Sequence, residues 1–325
     1  MDASALDYTL PDTAIAQSPL ADRAAARLLV DHGPAAPPAH HHVRDLPELL
    51  SPGDLLVVND SRVLPARLHL QRPNGGAAEV LLLERQPDGS WAALVRPSRK
   101  VRSGMSLTGR GVTVEIGDAL GDGQWRVRVD GDLDAAGEMP LPPYIHTPLT
   151  DGERYQTVYA RRAVSAAAPT AGLHLTREVL DRCAQRGIGI AAIELAIGLD
   201  TFRPLTEAKV EDHVIHSEAY EVPAATLDAI ERAERVVAVG TTVVRALESA
   251  AATGERSGRT QLFIRPGFEF RAVDLLLTNF HLPRTTLLAM IEAFMGSRWR
   301  DLYAVALHEQ YRFLSFGDAM LVARA

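Results

Sequence analysis

An α/β protein carrying an inserted all-β module is the architecture this sequence predicts, on three observations. Helical and strand patterns alternate after Thr176, which is α/β texture. Between Arg67 and Tyr144 the texture changes to short apolar runs divided by Asn74-Gly75-Gly76, Pro87-Asp88-Gly89 and Gly121-Asp122-Gly123, the signature of consecutive turns between strands. An unbroken apolar run at 55–58 ends in Asn59, Asp60, Ser61 and Arg62, as a buried strand does when it delivers polar groups to a ligand at its C-terminal end.

Composition narrows the class. With 325 residues, 46% hydrophobic and 23% charged, the chain is globular material long enough for two domains. Lys plus Arg is 34 and Asp plus Glu is 41, so the net charge of −7 excludes a generally basic nucleic-acid coat and leaves room only for a local basic patch. A single cysteine, Cys183, excludes an internal disulfide or a Cys-rich metal site and fits a reducing compartment. The acidic start, with Asp2 and Asp7, does not read as a signal peptide, and no apolar run reaches membrane-spanning length, so a cytoplasmic protein is expected.

In chain order, residues 7–20 read as an extended segment punctuated by Pro11 and Pro19, followed by a strand at 27–30. His40, His41 and His42 follow a Pro- and Ala-rich stretch and read as a solvated loop. A short helix and the Pro52-Gly53 turn lead into the buried strand at 55–58. Within the β module, strands are predicted at 78–83, 91–95, 112–116 and 125–129, with Arg96, Arg99, Lys100 and Arg102 clustered in a loop that could track a phosphate backbone. The Pro-rich segment at 140–144 reads as the return linker.

The residues that follow centre on S-A-A-A-P-T-A-G-L-H-L-T, 165–176. Small residues around Pro169, Ala171 and Gly172 allow close approach of a ligand to backbone, and Thr170 and His174 supply the chemistry. Thr176 caps a helix with Val179, Leu180 and Cys183 inward and Gly187 as its stop, so this stretch either binds an anionic or carboxylate-bearing ligand or is a tight turn around a buried histidine. An apolar run at 188–195, a helix at 224–235 and a strand at 236–240 continue the alternation. At Gly240, Thr241 and Thr242 open a helix with free amides and two hydroxyls, an anion or ribose site in form, with Arg245 one turn in. Strands at 261–264 and 274–277 come next, the second delivering Asn279 and His281 to a helix capped by Thr285 or Thr286. His213 and His216 beside Glu218 imitate a metal site but lack a third ligand, so no metal is expected.

Six stretches in this order, N-D-S-R-V-L-P-A-R-L from 59, A-A-P-T-A-G-L-H from 167, H-V-I-H-S-E from 213, A-V-G-T-T-V-V-R-A-L-E-S from 238, T-N-F-H-L-P-R-T-T-L-L from 278 and F-G-D-A-M-L from 316, closely resemble the S-adenosylmethionine:tRNA ribosyltransferase-isomerase family of queuosine biosynthesis. The resemblance implies an α/β main domain formed by both ends of the chain, residues 1–66 and 145–325, with an inserted barrel-like β domain at 67–144. It implies transfer and isomerisation of the ribosyl part of S-adenosylmethionine onto 7-aminomethyl-7-deazaguanine in tRNA, giving epoxyqueuosine, adenine and methionine. S-adenosylmethionine enters as co-substrate, and neither a metal nor a second cofactor is implied. Such chemistry needs a base near the sulfonium-acidified C5′ position, a proton for the departing adenine, and groups that hold the methionine end. Within the matching motifs His174, Glu218 and His281 are the titratable candidates, and Asp60, Arg62, Arg245 and Asp318 are charges that could hold the ends of the donor.

Four positions depart from the family pattern: Val164 stands where Gly precedes the central serine, Leu175 replaces Phe, Ala196 replaces His, and Asp200 replaces Gly. Asp200 could itself hold an amine or a cation. The departures keep two alternatives in view, a paralogue that uses S-adenosylmethionine with a small-molecule acceptor or cleaves it alone, and a tRNA- or nucleotide-binding protein without turnover.

Overall fold

The structure, a computed structural model, describes residues 1–121, 123–198 and 204–325. The chain forms two compact units, one of Met1–Ser61, Pro143–Arg161 and Pro169–Ala325, the other of Arg62–Pro142 and Arg162–Ala168. Strands β1 (Arg27–Val30) and β2 (Ala39–His42), helix α1 (Leu46–Leu49) and strand β3 (Asp54–Asn59) belong to the first unit. The second unit contains β4 (Arg62–Val63), β5 (Arg67–Gln71), β6 (Ala77–Arg85), β7 (Trp91–Arg96), β8 (Ser106–Gly109), β9 (Val112–Gly121), β10 (Gln124–Asp130), the single turn α2 (Leu133–Ala136) and β11 (Ala163–Ser165). The first unit resumes with α3 (Arg177–Gln185), β12 (Gly189–Leu195), β13 (Glu218–Glu221), α4 (Ala224–Arg232), β14 (Arg235–Val239), α5 (Thr241–Thr253), β15 (Ser257–Thr260), β16 (Leu275–Asn279), α6 (Thr286–Met295), α7 (Trp299–His308) and β17 (Ala319–Ala323).

In the second unit, six described strands, β5 to β10, close an antiparallel barrel. Alternation explains why: Val112, Val114 and Ile116 face inward between exposed Thr113 and Glu115, so one face of each strand is covered when the sheet curls shut. β4 and β11 form a separate parallel pair, which brings residues 162–168 back to this unit, a return that the texture of the sequence did not signal. Asp122 of the predicted Gly121-Asp122-Gly123 turn lies outside the described residues.

The first unit is built on a sheet of nine described strands in the order β15-β13-β12-β3-β14-β16-β17-β1-β2. Its centre, β12, β3, β14 and β16, is parallel, while β17 and β13 run antiparallel to their inner neighbours. Every residue of β3 is buried, which accounts for its unbroken apolar run. Thr176 caps α3 by accepting from the Val179 amide at 3.2 Å, and the helix then packs Val179 and Cys183 against Leu56, Val237 and Leu277 of the sheet. Burial pushes the Cys183 thiol up to about 11, so it is an inert core group.

Several expectations are corrected. The strand placed at 261–264 lies instead at 257–260, a Ser-Gly-Arg-Thr segment whose pairing with β13 comes from backbone bonds rather than an apolar pattern. Helix α4 ends at Arg232, because Arg235 already belongs to β14, where it forms a two-pronged pair with buried Asp54 at 2.6 and 2.8 Å. The histidine run is an edge strand, β2, with His40 Nδ1 2.8 Å from the Tyr311 hydroxyl. Strands β5, β8 and β17 and helix α7 had no separate sequence reading. Among the described residues no helix is long and apolar enough to cross a membrane, and no group of three His, Cys, Asp or Glu side chains is arranged to hold a metal. His213 instead pairs with Glu207 at 3.0 Å.

Candidate functional site

The C-terminal ends of the four parallel strands gather most of the polar residues singled out in the sequence. Asn59 ends β3 and is fully buried; its amide donates to the Leu195 carbonyl at 3.0 Å, and its oxygen accepts from the amides of Ser61 and Leu195 at 3.1 and 3.2 Å. The side chain thereby ties the end of β12 to the end of β3. The Asn59 amide also stands 3.4 Å from the Thr242 hydroxyl at the start of α5. Gly240, at φ +91, makes the reversal from β14 into that helix, a conformation in which a side chain is strained. A Cβ built on Gly240 would stand 3.4 Å from the Ala171 methyl, so the central small-residue stretch packs on this turn.

That stretch folds as one 3-10 segment, Thr170–His174, with Ala171 to His174 buried. Gly172 is required by space: a Cβ there would sit 2.0 Å from the Tyr159 hydroxyl and 3.0 Å from the Thr157 methyl. Thr170 donates to the Asn279 side-chain oxygen at 3.0 Å, and the Asn279 amide nitrogen lies 2.9 Å from His174 Nε2 and 3.3 Å from the Asp318 carbonyl. Thr170 and His174 of this segment are thus joined through the distant Asn279 in one chain of hydrogen bonds. Burial, with Arg312 and Arg23 adding repulsion, lowers the His174 pKa to about 4, so the imidazole is neutral at physiological pH. His174 lines a small pocket with Pro19, Arg23, Arg154, Ser315 and Phe316.

Glu218 opens β13 at the same edge. One of its oxygens accepts from the Gly198 amide at 2.9 Å and the other from Arg245 at 2.5 Å, and Arg245 also donates to the carbonyls of His216 and Thr260 at 2.8 and 3.2 Å. Arg245 therefore faces Glu218 and the ends of β13 and β15 rather than open solvent, and it is 8% exposed. Asp318 is likewise committed to the fold: it accepts from the amides of Arg27 and Arg312, both at 2.8 Å. His281 has both ring nitrogens occupied, by Thr278 and by the Tyr303 hydroxyl, each at 3.2 Å, and burial takes its pKa down to about 3. Asp60 lies 3.5 Å from the Arg161 side chain, and its carbonyl accepts the Arg161 amide.

Other sequence candidates are scattered. Arg62 belongs to the barrel unit, where its amide donates to the Arg162 carbonyl. Arg96, Arg99, Lys100 and Arg102 are exposed on that unit, where Arg96, Pro97, Arg99 and Lys100 edge a groove of about 690 Å³ with Ala77 and Ala78. Asp200 lies outside the described residues. Among the departures, Leu175 is a fully buried core residue, Ala196 donates its amide to the Ala219 carbonyl, and Val164 sits in β11. Sequence reading missed Arg23, Arg312, Gly198 and Tyr303, each of which touches or electrically biases a candidate. Arg312 lies four residues before a matched motif and Gly198 lies between the departures at Ala196 and Asp200, whereas Arg23 and Tyr303 carry no local signal.

A parallel-centred sheet that gathers hydroxyls, amides and an ion-paired carboxylate at its C-terminal edge, in a chain that also folds a β-barrel, defines a ligand-binding α/β protein. The profile of the family described as "Queuosine biosynthesis protein" matches residues 3–322. The chain belongs to that family. It is 53% identical to the S-adenosylmethionine:tRNA ribosyltransferase-isomerase of Rubrobacter xylanophilus over 99% of this chain and 98% of the relative. The proteins of the same name from Moorella thermoacetica and Thermus thermophilus are 49% and 47% identical, covering 97% and 98% of this chain and 98% of each relative. The crystal structure of S-adenosylmethionine tRNA ribosyltransferase from Thermotoga maritima, 37% identical, matches 98% of this chain and 99% of its own with a TM-score of 0.57.

Proposed function

We propose that this chain transfers and isomerises the ribosyl moiety of S-adenosylmethionine onto 7-aminomethyl-7-deazaguanine in tRNA, forming epoxyqueuosine and releasing adenine and methionine. The observation that carries the reading is identity of 45–53% over nearly the whole chain to relatives that bear this enzyme's name. S-adenosylmethionine is the co-substrate, with no metal or further cofactor in the scheme. A cytoplasmic site of action accords with a tRNA substrate.

The α/β unit is assigned the donor site and the barrel unit a share of the tRNA. His174, Glu218 and His281 are the proposed catalytic groups, and the closed ring of His281 places more weight on the other two. Pro169, Thr170, Ala171, Gly172, Thr241, Thr242 and Asn279 are proposed to shape the donor site, with Asp60 and Asp200 as its charges; Arg245 and Asp318 are committed to the fold and Arg62 belongs to the barrel unit, so these three sequence candidates are not assigned to it. Support comes from the edge geometry: a helix N-terminus opens at Thr241, beside the central stretch that packs on Gly240. Arg96, Arg99, Lys100 and Arg102 are proposed to contact tRNA phosphates, a role their exposure supports.

The test is adenine and methionine release from S-adenosylmethionine by the purified protein, with and without tRNA carrying the aminomethyl-deazaguanine base. Release that requires this tRNA and leaves a modified base is the expected result. Release without tRNA would instead identify a paralogue with another acceptor, and no release in either condition would overturn the reading.

A further inference from the structure

We propose that Asn279 holds His174 in the neutral Nδ1–H tautomer, so that His174 serves the reaction as a fixed hydrogen-bond donor to the bound substrate and not as the base. This rests on the functional reading above for its substrate, but its central claim concerns the protein alone.

The side-chain amide of Asn279 has two possible orientations, and its surroundings select one. The Asp318 carbonyl lies 3.3 Å from the amide nitrogen. A carbonyl can only accept, so the reversed orientation would set two acceptors against each other in a buried site. The remaining oxygen then accepts from the Thr170 hydroxyl at 3.0 Å. With one amide proton directed at Asp318, the other meets His174 Nε2 at 2.9 Å. Nε2 must therefore present a lone pair, and the ring proton resides on Nδ1.

The Asp318 carbonyl is itself immobile. Its side chain is anchored by the Arg27 and Arg312 amides, and its backbone amide donates to the Arg312 carbonyl at 2.7 Å. The cationic groups around His174 act in the same direction: Arg23 and Arg312 disfavour an imidazolium and Arg154 shares the pocket wall, while the opposing charge of the Asp318 carboxylate is held by the Arg27 and Arg312 amides. A ring whose Nε2 lone pair is already engaged, and whose Nδ1 is protonated, has no site at which to accept the C5′ proton. The Nδ1 proton is then the one that His174, which lines a small pocket, has to donate to a bound substrate, and proton abstraction falls to another group. Thr170 and Asn279 are positioning residues that act through the imidazole.

The decisive measurement is the ring-nitrogen spectrum of the full-length protein with ¹⁵N-labelled histidine, the His174 signals being assigned by their loss in His174→Gln. An Nδ1–H, unprotonated-Nε2 pattern for His174 at neutral pH, persisting as the pH is lowered to mildly acidic values, is expected. An Nε2–H pattern or an imidazolium there would overturn the inference, and the substrate-free spectrum decides this whether or not tRNA modification is observed. Two variants test the consequence. Asn279→Asp sets an acceptor against Nε2 and is expected to move the ring proton there, to add a titration near neutral pH to the rate profile, and to lower kcat on the order of 100-fold with KM little changed. Thr170→Val releases the amide, while Thr170→Ser keeps its anchor and restores the rate. A His174 tautomer unmoved by Asn279→Asp, or a Thr170→Ser variant as slow as Thr170→Val, would overturn the positioning role.

Discussion

Single residues at the sheet edge carry contrasting electrostatic duties. Glu218 and Arg245 form a pair, 8% exposed on each side, in which each ion lowers the cost of burying the other. Arg245→Met removes the guanidinium from beside that carboxylate and is expected to destabilise the fold by about 3–5 kcal/mol in urea unfolding. The double variant Glu218→Gln with Arg245→Met should recover part of this loss, and simple additivity of the two changes would show that the pair is not coupled. The buried histidines act through pH. His281 and His174 have folded pKa values of about 3 and 4, below the ordinary value of 6.5, so the unfolded chain takes up protons first as acid is added. Their contribution to stability is complete above pH 6.5 and is lost as the pH falls from there towards 3–4. Each adds up to about 1.4 kcal/mol per pH unit to the slope. His281→Gln should leave a slope shallower by one such proton, whatever its stability at pH 7; an unchanged slope would show that His281 titrates normally.

At the scale of elements, the turn from β14 into α5 decides where the Thr241 and Thr242 hydroxyls stand. Gly240 has φ +91 and ψ 155, a region almost closed to side chains, and Ala171 lies in contact range beyond it. Gly240→Ala is expected to cost about 1–3 kcal/mol and to lower tRNA modification, since relief of the strain would shift the start of α5 against Asn59 and the central stretch. Wild-type stability with wild-type turnover would sink that account. Most of these elements could be read locally. The Thr176 cap, the Gly187 stop and the apolar run at 55–58 within β3 each announce themselves within a few residues. β15 did not, because Ser-Gly-Arg-Thr has no strand signature of its own and pairs only because β13 offers an edge. Glu248 shows the same limit within a matched motif. It lies in the stretch that begins at Ala238, yet its carboxylate accepts from the amides of Arg271, Ala272 and Val273 and serves to anchor a loop.

For the whole molecule, the net charge of −7 means that attraction to tRNA has to come from local patches such as the loop of Arg99 and Lys100. Replacing both with Ala is expected to weaken tRNA binding and to reduce the slope of log affinity against log salt by roughly 1–2. An unaltered slope would remove the loop from the tRNA contact surface. The sequence by itself determined the α/β texture, the β module and the family, because periodicity, turn chemistry and long motifs are local and survive without neighbours. It also named His174, Asn279, Thr170, Glu218 and Arg245 as residues of interest. Only the tertiary structure decided what they do to one another. Thr170 and Asn279 are far apart in the chain and meet because the central stretch packs on the ends of β14 and β16. The tautomer of His174 depends on which way one buried amide faces, and that in turn on a carbonyl at Asp318. Such directions are set by packing across the sheet, where residues distant in sequence exclude water and fix the partners open to each polar group, and no local pattern records them.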